Sequence, residues 1–567
     1  MNRTMLGQTK RSLPPAAANC DPMAPLAPTD PIPQQRPTLV PSASANAEPH
    51  FKFQLGNLLF AQREFAAAAR LFYDVLDDHP AAPDVHNNLG NALSKLGQTA
   101  AAVAHYRRAI SLAPAMAEAH NNLACALFLF GQLGPAIAHY KQAIGLDPVR
   151  PDAYANLVLA LHYVPGVSNA LIHETTRRWA DLIAQRPMSA AWRAGAERRN
   201  QRLRIGYVSG DFRSHPVAFF VENVIASHDR EAVEVYCYSN AGVSDGTTAR
   251  IAGSADHWRD IAGLGDDDAA RRVVDDAIDI LIDLSGHTAG NRLTMFARKP
   301  APIQCTWLGY VGTTGLSEID YIIADRYVIP PGEEHHYSEQ PYRLPHSYLC
   351  FTPPEHEIGV GTLPSLRNGS PTFGCFNNLL KINGTVVELW SALLAAVPNS
   401  RLYLKTAQLD DEAVRANIVG AFAAGGIGAE RLRLAGASPR HELLAAYNDV
   451  DIALDPFPFG GGTTTLEALW MGVPVVTLRG TGFVGRVGES VLTTLGLGGL
   501  VAASPEDYLT LARDLAADEP RLAALRAGLR QRLVDSPLCD AKTFVGDLET
   551  AYRAMWQARR RNRERAA

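Results

Sequence analysis

DPFPFGGGTTTLEALWMGVPVVTL (455–478) decides the fold. An apolar run ends at Asp455, two prolines and three glycines make a tight loop, a helix begins near Thr463, and a second apolar run follows at 474–478. Strand, short loop, helix and strand in this order are the repeating unit of a parallel α/β sheet. The loop aims free backbone N–H groups and the positive end of a helix at the strand's carboxyl edge, where an anion binds. Gly462 opens the helix, Thr463 and Thr464 add hydroxyl donors to its first turn, and Glu467 lies one turn on from Thr463 on the same face, where a carboxylate can grip sugar hydroxyls. Alone, the stretch also reads as a Gly-rich turn with a Thr cap.

Its neighbours repeat the pattern. PTFGCF, RLYLKTA, RLRLAGA and DIALDPF are strands of one α/β domain over 371–539, and the chain is helical after 504, with a C-terminal helix over 540–567. LRIGYVSGDF, VEVYCYSN, DILIDLSGHT and IDYIIADRYVI are strands of another domain over 203–355, separated by a Gly/Pro-rich gap at 353–371. Two such domains leave a cleft between them, and open parallel sheets bind ligands at their carboxyl edges. The strand exits therefore hold the candidate residues. GCFNNLLKI (374–382) places Lys381 to face a diphosphate and Asn378 to offer an amide to a base or ribose. GASPRHELLAAY (436–447) presents Gly436, Ala437 and Ser438 before a helix with His441 in its first turn, able to donate a ring N–H. In the first domain, His215 of GDFRSHPVAFF (210–220) is expected to be exposed as a general base. Asp283 and His287 of IDLSGHT form either a carboxylate–histidine relay beside a sugar pocket or a pair of structural caps, and WLGYVGTTG (307–315) can line that pocket with backbone.

Upstream the chain repeats itself. Leu55, Leu89, Leu123 and Leu157 are each 34 apart, as are Pro80, Pro114 and Pro148, and Ala68, Ala102 and Ala136. This is the period of tetratricopeptide helix pairs stacked into an α-solenoid. The repeats fill 47–164 as three full units and a half, after a Pro/Ala-rich leader (1–46) expected to be disordered and before a helical connector (165–202). Asn88, Asn122 and Asn156 precede the repeat leucines, and Gln54 holds that place in the first unit. Their amides are read as a ladder gripping the backbone of an extended peptide, the alternative being bonds between neighbouring helices.

Composition narrows the class. A net charge of −5 over 567 residues gives no bulk attraction to nucleic acid, and no apolar run is long enough for a membrane span. Seven scattered cysteines without a CxxC pair read as reduced thiols of a cytoplasmic protein. The basic tail RRRNRER (559–565) reads as a solvated helix end. The acidic groups Asp266–Asp268 and Asp449/Asp451 lack the clustered carboxylates of a cation site, so no metal is expected and Lys381 with neutral donors is left to neutralise a leaving diphosphate.

The 34-residue array followed by GYVSGDF–SHP, DLSGHT, APIQCTWLGYVGTTG, FNNLLKI, VPNSRL and DPFPFGGGTTTLEALWMGVP resembles the protein O-GlcNAc transferase family, which includes the plant Spindly proteins, over about 50–557. The resemblance implies a GT-B fold of two Rossmann-like domains and a metal-independent, inverting transfer of a sugar from a nucleotide to Ser or Thr of a protein held along the repeats. It implies Lys381 as the diphosphate-binding lysine, Asn378 as a nucleotide contact, and His441 with Gly436, Ala437 and Ser438 at base and ribose. It further implies Gly462, Thr463 and Thr464 at the phosphates, Glu467 at the ribose and His215 as the proposed base. UDP-GlcNAc is the donor it favours. The animal enzymes have His where this chain has Gly462, Asp where it has Glu467 and Tyr where it has His287, and they carry a large insertion between the catalytic domains that is absent here. FNNLLKI and GGGTTTLEALWMGVP are closer to the Spindly branch, which uses GDP-fucose, so that donor is the alternative. A third reading is a non-enzymatic repeat scaffold that binds a nucleotide sugar.

Overall fold

The computed structural model describes residues 49–184, 202–355 and 358–566. The stretch read as a leader, Cys20 and most of the linker ahead of 203 lie outside the described residues. Helices α1 (Pro49–Ala61), α2 (Phe65–Asp78), α3 (Pro83–Lys95), α4 (Thr99–Leu112), α5 (Ala117–Leu129) and α6 (Leu133–Leu146) form the three repeats, and α7 (Pro151–Leu161) begins a fourth. Each pair closes because small residues meet rings. Ala68, Ala102 and Ala136 are fully buried. A Cβ on Gly56 would lie 2.6 Å from the Phe72 ring, and one on Gly90 2.6 Å from Tyr106. Arg63, Gly97 and Gly131, again 34 apart, take positive φ (65°, 76° and 74°) in the turn between the paired helices. The half repeat is completed differently: α8 (Asn169–Ile183), capped by the Ser168 hydroxyl, packs on α7 and ends the stack.

The asparagines bond helix to helix. Asn88 donates to Asn57 at 2.8 Å, Asn122 to Asn87 at 3.0 Å and Asn156 to Asn121 at 3.1 Å. Asn122 and Asn156 are buried, and the first repeat contributes Asn57 in place of the exposed Gln54. The expectation of an open, peptide-facing ladder is therefore corrected: a buried amide must find a partner, and the nearest is the same residue type on the next first helix.

The first α/β domain is a seven-stranded parallel sheet in the order β3-β2-β1-β4-β5-β6-β7. Its strands are β1 (Leu203–Ser209), β2 (Val233–Ser239), β3 (His257–Asp260), β4 (Ile280–Asp283), β5 (Ile303–Thr306), β6 (Tyr321–Ala324) and β7 (Gln340–Arg343). The second is a six-stranded parallel sheet in the order β10-β9-β8-β11-β12-β13, from β8 (Thr372–Cys375), β9 (Arg401–Lys405), β10 (Leu432–Ala435), β11 (Ile452–Leu454), β12 (Val475–Leu478) and β13 (Val501–Ala502). Both are doubly wound, and in each the order reverses beside the first strand, between β1 and β4 and between β8 and β11. Those switch points are where such sheets bind ligands. Four of the strands missed by patterning, β3, β5, β7 and β13, have four residues or fewer.

The C-terminal helix Ala541–Ala566 returns to the first domain, where Glu549 pairs with buried His228 at 2.9 Å and Tyr552 meets Tyr207 at 3.1 Å. Cys237, Cys305, Cys350, Cys375 and Cys539 are free thiols; Cys125 is not among them, so the expectation of seven reduced thiols does not extend to it. Among the described residues no helix is long and apolar enough to cross a membrane.

Candidate active site

The second switch point is built around Lys381. β8 exits through Asn377 and Asn378 into a short 3-10 turn, Leu379–Lys381, whose first amide bond is capped by Asn378 Oδ1 on Leu380 N–H at 3.0 Å. That turn folds the lysine back over the exit of β11. Its Nζ donates to Gly460 O at 2.8 Å and Asn377 Oδ1 at 3.1 Å, and lies 4.4 Å from the centre of the Phe459 ring. Lys381 is buried, and that burial lowers its pKa to about 8, against the pull of Asp455 and Cys375. A solvated lysine would fit none of this; Lys381 is desolvated and fixed by two hydrogen bonds.

The glycine loop is shaped by Asp455. Its carboxylate accepts Gly461 N–H at 2.5 Å and the Thr477 hydroxyl at 2.7 Å, and burial pushes it up to about 6. A Cβ on Gly461 would stand 2.5 Å from Thr465 Oγ1 and 2.6 Å from Thr464 Oγ1, so this glycine is required by close approach. Gly462 differs: a Cβ there would meet only Val487, at 3.7 Å. Gly462 caps the helix Thr463–Trp470 without a side-chain bond, leaving first-turn N–H groups for an anion. Thr464 Oγ1 donates to Asn377 Oδ1 at 3.0 Å, so Asn377 joins the lysine to the helix start.

Glu467 is buried and bonded to Arg440 Nη2 at 3.2 Å, rather than open to a ribose, and burial raises its pKa. The Arg440 guanidinium in turn lies 3.3 Å from the centre of the Phe219 ring in the first domain. A cleft of about 280 Å³ opens there, lined by Ser214, Phe219, Thr247, Thr352 and Arg440. The 436–438 loop is fixed from below, with Lys405 donating to Gly436 O and Asp410 accepting Ala437 N–H, both at 3.1 Å. A Cβ on Gly436 would collide with Asp410; Ser438 is half-buried and His441 exposed.

At the first switch point two expectations are corrected. His215 is buried, not exposed. Desolvation, then Arg213, lowers its pKa to about 3. Its Nδ1 accepts Val217 N–H at 3.3 Å, which puts the ring proton on Nε2, buried and without a partner. In this tautomer His215 donates; Asp211 Oδ2 lies 3.6 Å from Nδ1. Asp283 and His287 form no relay. Asp283 accepts Ser285 N–H, Gly286 N–H and the Thr306 hydroxyl, which holds the turn. His287 bonds Thr314 O at 2.9 Å and packs edge-on against Trp179 of α8. Each side chain thus serves its own loop. The 307–315 loop is pinned by Thr313 and Thr314 to buried Glu339.

The acidic runs are neutralised by arginines, Asp266 by Arg292, Asp267 by Arg298 and Asp449 by Arg433. Among the described residues no group of three or more His, Cys, Asp or Glu is placed to hold a metal ion. Asn377, Phe459 and Arg440 are site residues that motif reading missed. The doubled Asn of FNN and the aromatic inside the glycine loop were the available signals.

Two doubly wound sheets facing a common cleft, with a helical solenoid ahead of them, define a GT-B fold joined to tetratricopeptide repeats. The model of glycosyl transferase family 41 matches residues 181–354 and 363–548, and tetratricopeptide models match 83–116 and 117–150. The chain belongs to glycosyltransferase family 41. It is 41% identical over 394 residues to a rice protein named probable UDP-N-acetylglucosamine–peptide N-acetylglucosaminyltransferase SPINDLY, covering 68% of this chain and 42% of that one. The Arabidopsis thaliana protein named SEC is 36% identical over 367 residues, covering 63% and 37%. The chain thus spans less than half the length of these relatives. A solved mutant of the Thermobaculum terrenum O-GlcNAc transferase superposes with a TM-score of 0.83 at 38% identity, covering 90% of this chain and 99% of that one.

Proposed function

We propose that the chain is a protein O-glycosyltransferase that moves GlcNAc from UDP-GlcNAc to Ser or Thr hydroxyls, with inversion and without a metal. The observation that carries this reading is the buried Lys381 ammonium, fixed by Gly460 O and Asn377 beside an uncapped helix start. A cation and free N–H groups at one point suit a diphosphate leaving group. The acceptor oxygen forms its bond to C1 as the bond from C1 to the diphosphate oxygen breaks, the electron pair leaves with the nucleotide, and the hydroxyl proton passes to a phosphate oxygen of the departing diphosphate. His215 donates through Nε2 in the tautomer described; it serves as a base only with Nδ1–H turned to Asp211. The 436–438 loop and His441 hold base and ribose, with Asn378 beside them. The repeats supply the peptide surface, through groups other than the buried asparagines.

A GDP-fucose donor is the second reading, favoured by Gly462, where the helix start has room for a different sugar. Purified protein incubated with UDP-GlcNAc or GDP-fucose and a Ser/Thr peptide library separates the two by product mass. A gain of the mass of one GlcNAc supports the first reading. Transfer of fucose alone, or of neither sugar, overturns it.

A further inference from the structure

The hydrophobic core of the repeats continues into the catalytic half. It takes in Tyr310 and Leu380, with Phe459 packed at its edge. Leu380 directly precedes Lys381, and Phe459 directly precedes Gly460, whose carbonyl holds the lysine. Tyr163, just beyond the end of α7 and 2% exposed, packs on Phe459 with ring centres 4.6 Å apart and planes 31° apart. Phe128 of α5 meets Tyr163 edge-on at 5.2 Å, and neighbouring His162 bonds the Tyr310 hydroxyl at 2.6 Å, so the end of α7 is fixed from both sides. The Phe459 ring therefore touches both Tyr163 and the Lys381 ammonium.

We propose that the end of the repeat array is a built part of the donor site, with Tyr163 the positioning residue that holds Phe459 over Lys381. The proposal rests on the reading of Lys381 as the diphosphate cation. Phe459 is itself only partly buried, so its place over the lysine depends on what backs it. With the ring in place, water is kept from Nζ and the ammonium is aimed by Gly460 and Asn377. Without it, the lysine is free to hydrate and turn. The titratable groups facing Nζ are Asp455 from the exit of β11 and Cys375 from the end of β8. Peptide bound along the solenoid and donor bound at the switch point thereby share one rigid contact.

The test is the pH dependence of Lys381 acylation by an amine-reactive ester in the full chain, followed by peptide mass spectrometry. It needs neither nucleotide nor turnover. The wild-type midpoint is expected near the depressed value of about 8. Tyr163→Ala should raise it by about one unit or more, toward that of a solvated lysine, and weaken UDP binding about tenfold. Tyr163→Phe, which keeps the ring, should leave both unchanged, and Phe459→Leu should reproduce the alanine variant even where Tyr163→Ala folds poorly. A folded Tyr163→Ala or Phe459→Leu protein with an unmoved midpoint overturns the proposal, as does a Tyr163→Phe shift as large as that of alanine. Failure of the wild type to bind UDP or GDP would sink the donor reading, while the lysine midpoints would still decide this proposal.

Discussion

Asn377→Ala removes the oxygen that accepts both Lys381 Nζ, at 3.1 Å, and Thr464 Oγ1, at 3.0 Å. A hydrogen bond to a charged group contributes about 1.5–3 kcal/mol and a neutral one about 0.5–1.5 kcal/mol. The lysine keeps Gly460 O at 2.8 Å, and a bound phosphate can replace part of what is lost. About 2 kcal/mol should therefore be missing from nucleotide binding, roughly a 30-fold rise in Kd. Isothermal calorimetry with UDP measures it, and a thermal melt checks that the fold persists. Asn377→Asp is the control that separates geometry from charge. It keeps an acceptor for both donors but adds a negative charge where the anion sits, so the fold should hold while UDP binding falls at least as far. Wild-type affinity in Asn377→Ala would refute the reasoning, because Lys381 would then be positioned without Asn377.

Three further outcomes follow from the same geometry. Gly461→Ala should lose nucleotide binding, since its Cβ would press on Thr464 and Thr465, whereas Gly462→Ala, with only Val487 at 3.7 Å, should bind within about threefold of wild type by calorimetry. The stability carried by neutral, buried His162 and His287 should fall as pH drops from about 6.5 toward 4, because burial lowers both to about 4 while the unfolded chain takes up protons from 6.5 downward; Asp283 and Asp455, which burial pushes up to about 6, act in the opposite sense. Urea melts at pH 7 and 5 should therefore show a smaller acid-induced loss in His162→Asn than in the wild type. Asn122→Ala removes the donor to Asn87 Oδ1 and should cost about 1–3 kcal/mol in urea unfolding, while leaving UDP affinity unchanged in the folded protein.

The legible parts of this molecule were those written locally. The 34-residue period gave the solenoid, because each repeat buries the same alanine under the same ring. The Gly-rich loop was legible as a strand-to-helix turn, because Asp455, the glycines and Thr464 share one short stretch. Lys381 was legible as a strand-exit lysine, but its burial was not: Gly460 is 79 residues away, and Phe459 is backed by Tyr163 from another module. His215 looked exposed because it follows a strand, and its burial depends on packing that no local pattern encodes. The asparagines were recognised as a periodic set, yet their partners lie 31 or 35 residues off, one helix pair away, and period alone does not tell a structural ladder from a binding one. Glu467 was read as open to sugar hydroxyls, and its burial was not legible because its arginine, Arg440, comes from a different strand exit.

The central claim is that Lys381 is the cation of a nucleotide-diphosphate site. Calorimetric titration of the full chain with UDP at pH 7, beside Lys381→Ala, tests it most directly. The account predicts saturable binding by the wild type and a loss of affinity or transfer on the order of 100-fold in the variant. Equal UDP affinity in the two proteins, with both folded, would contradict it.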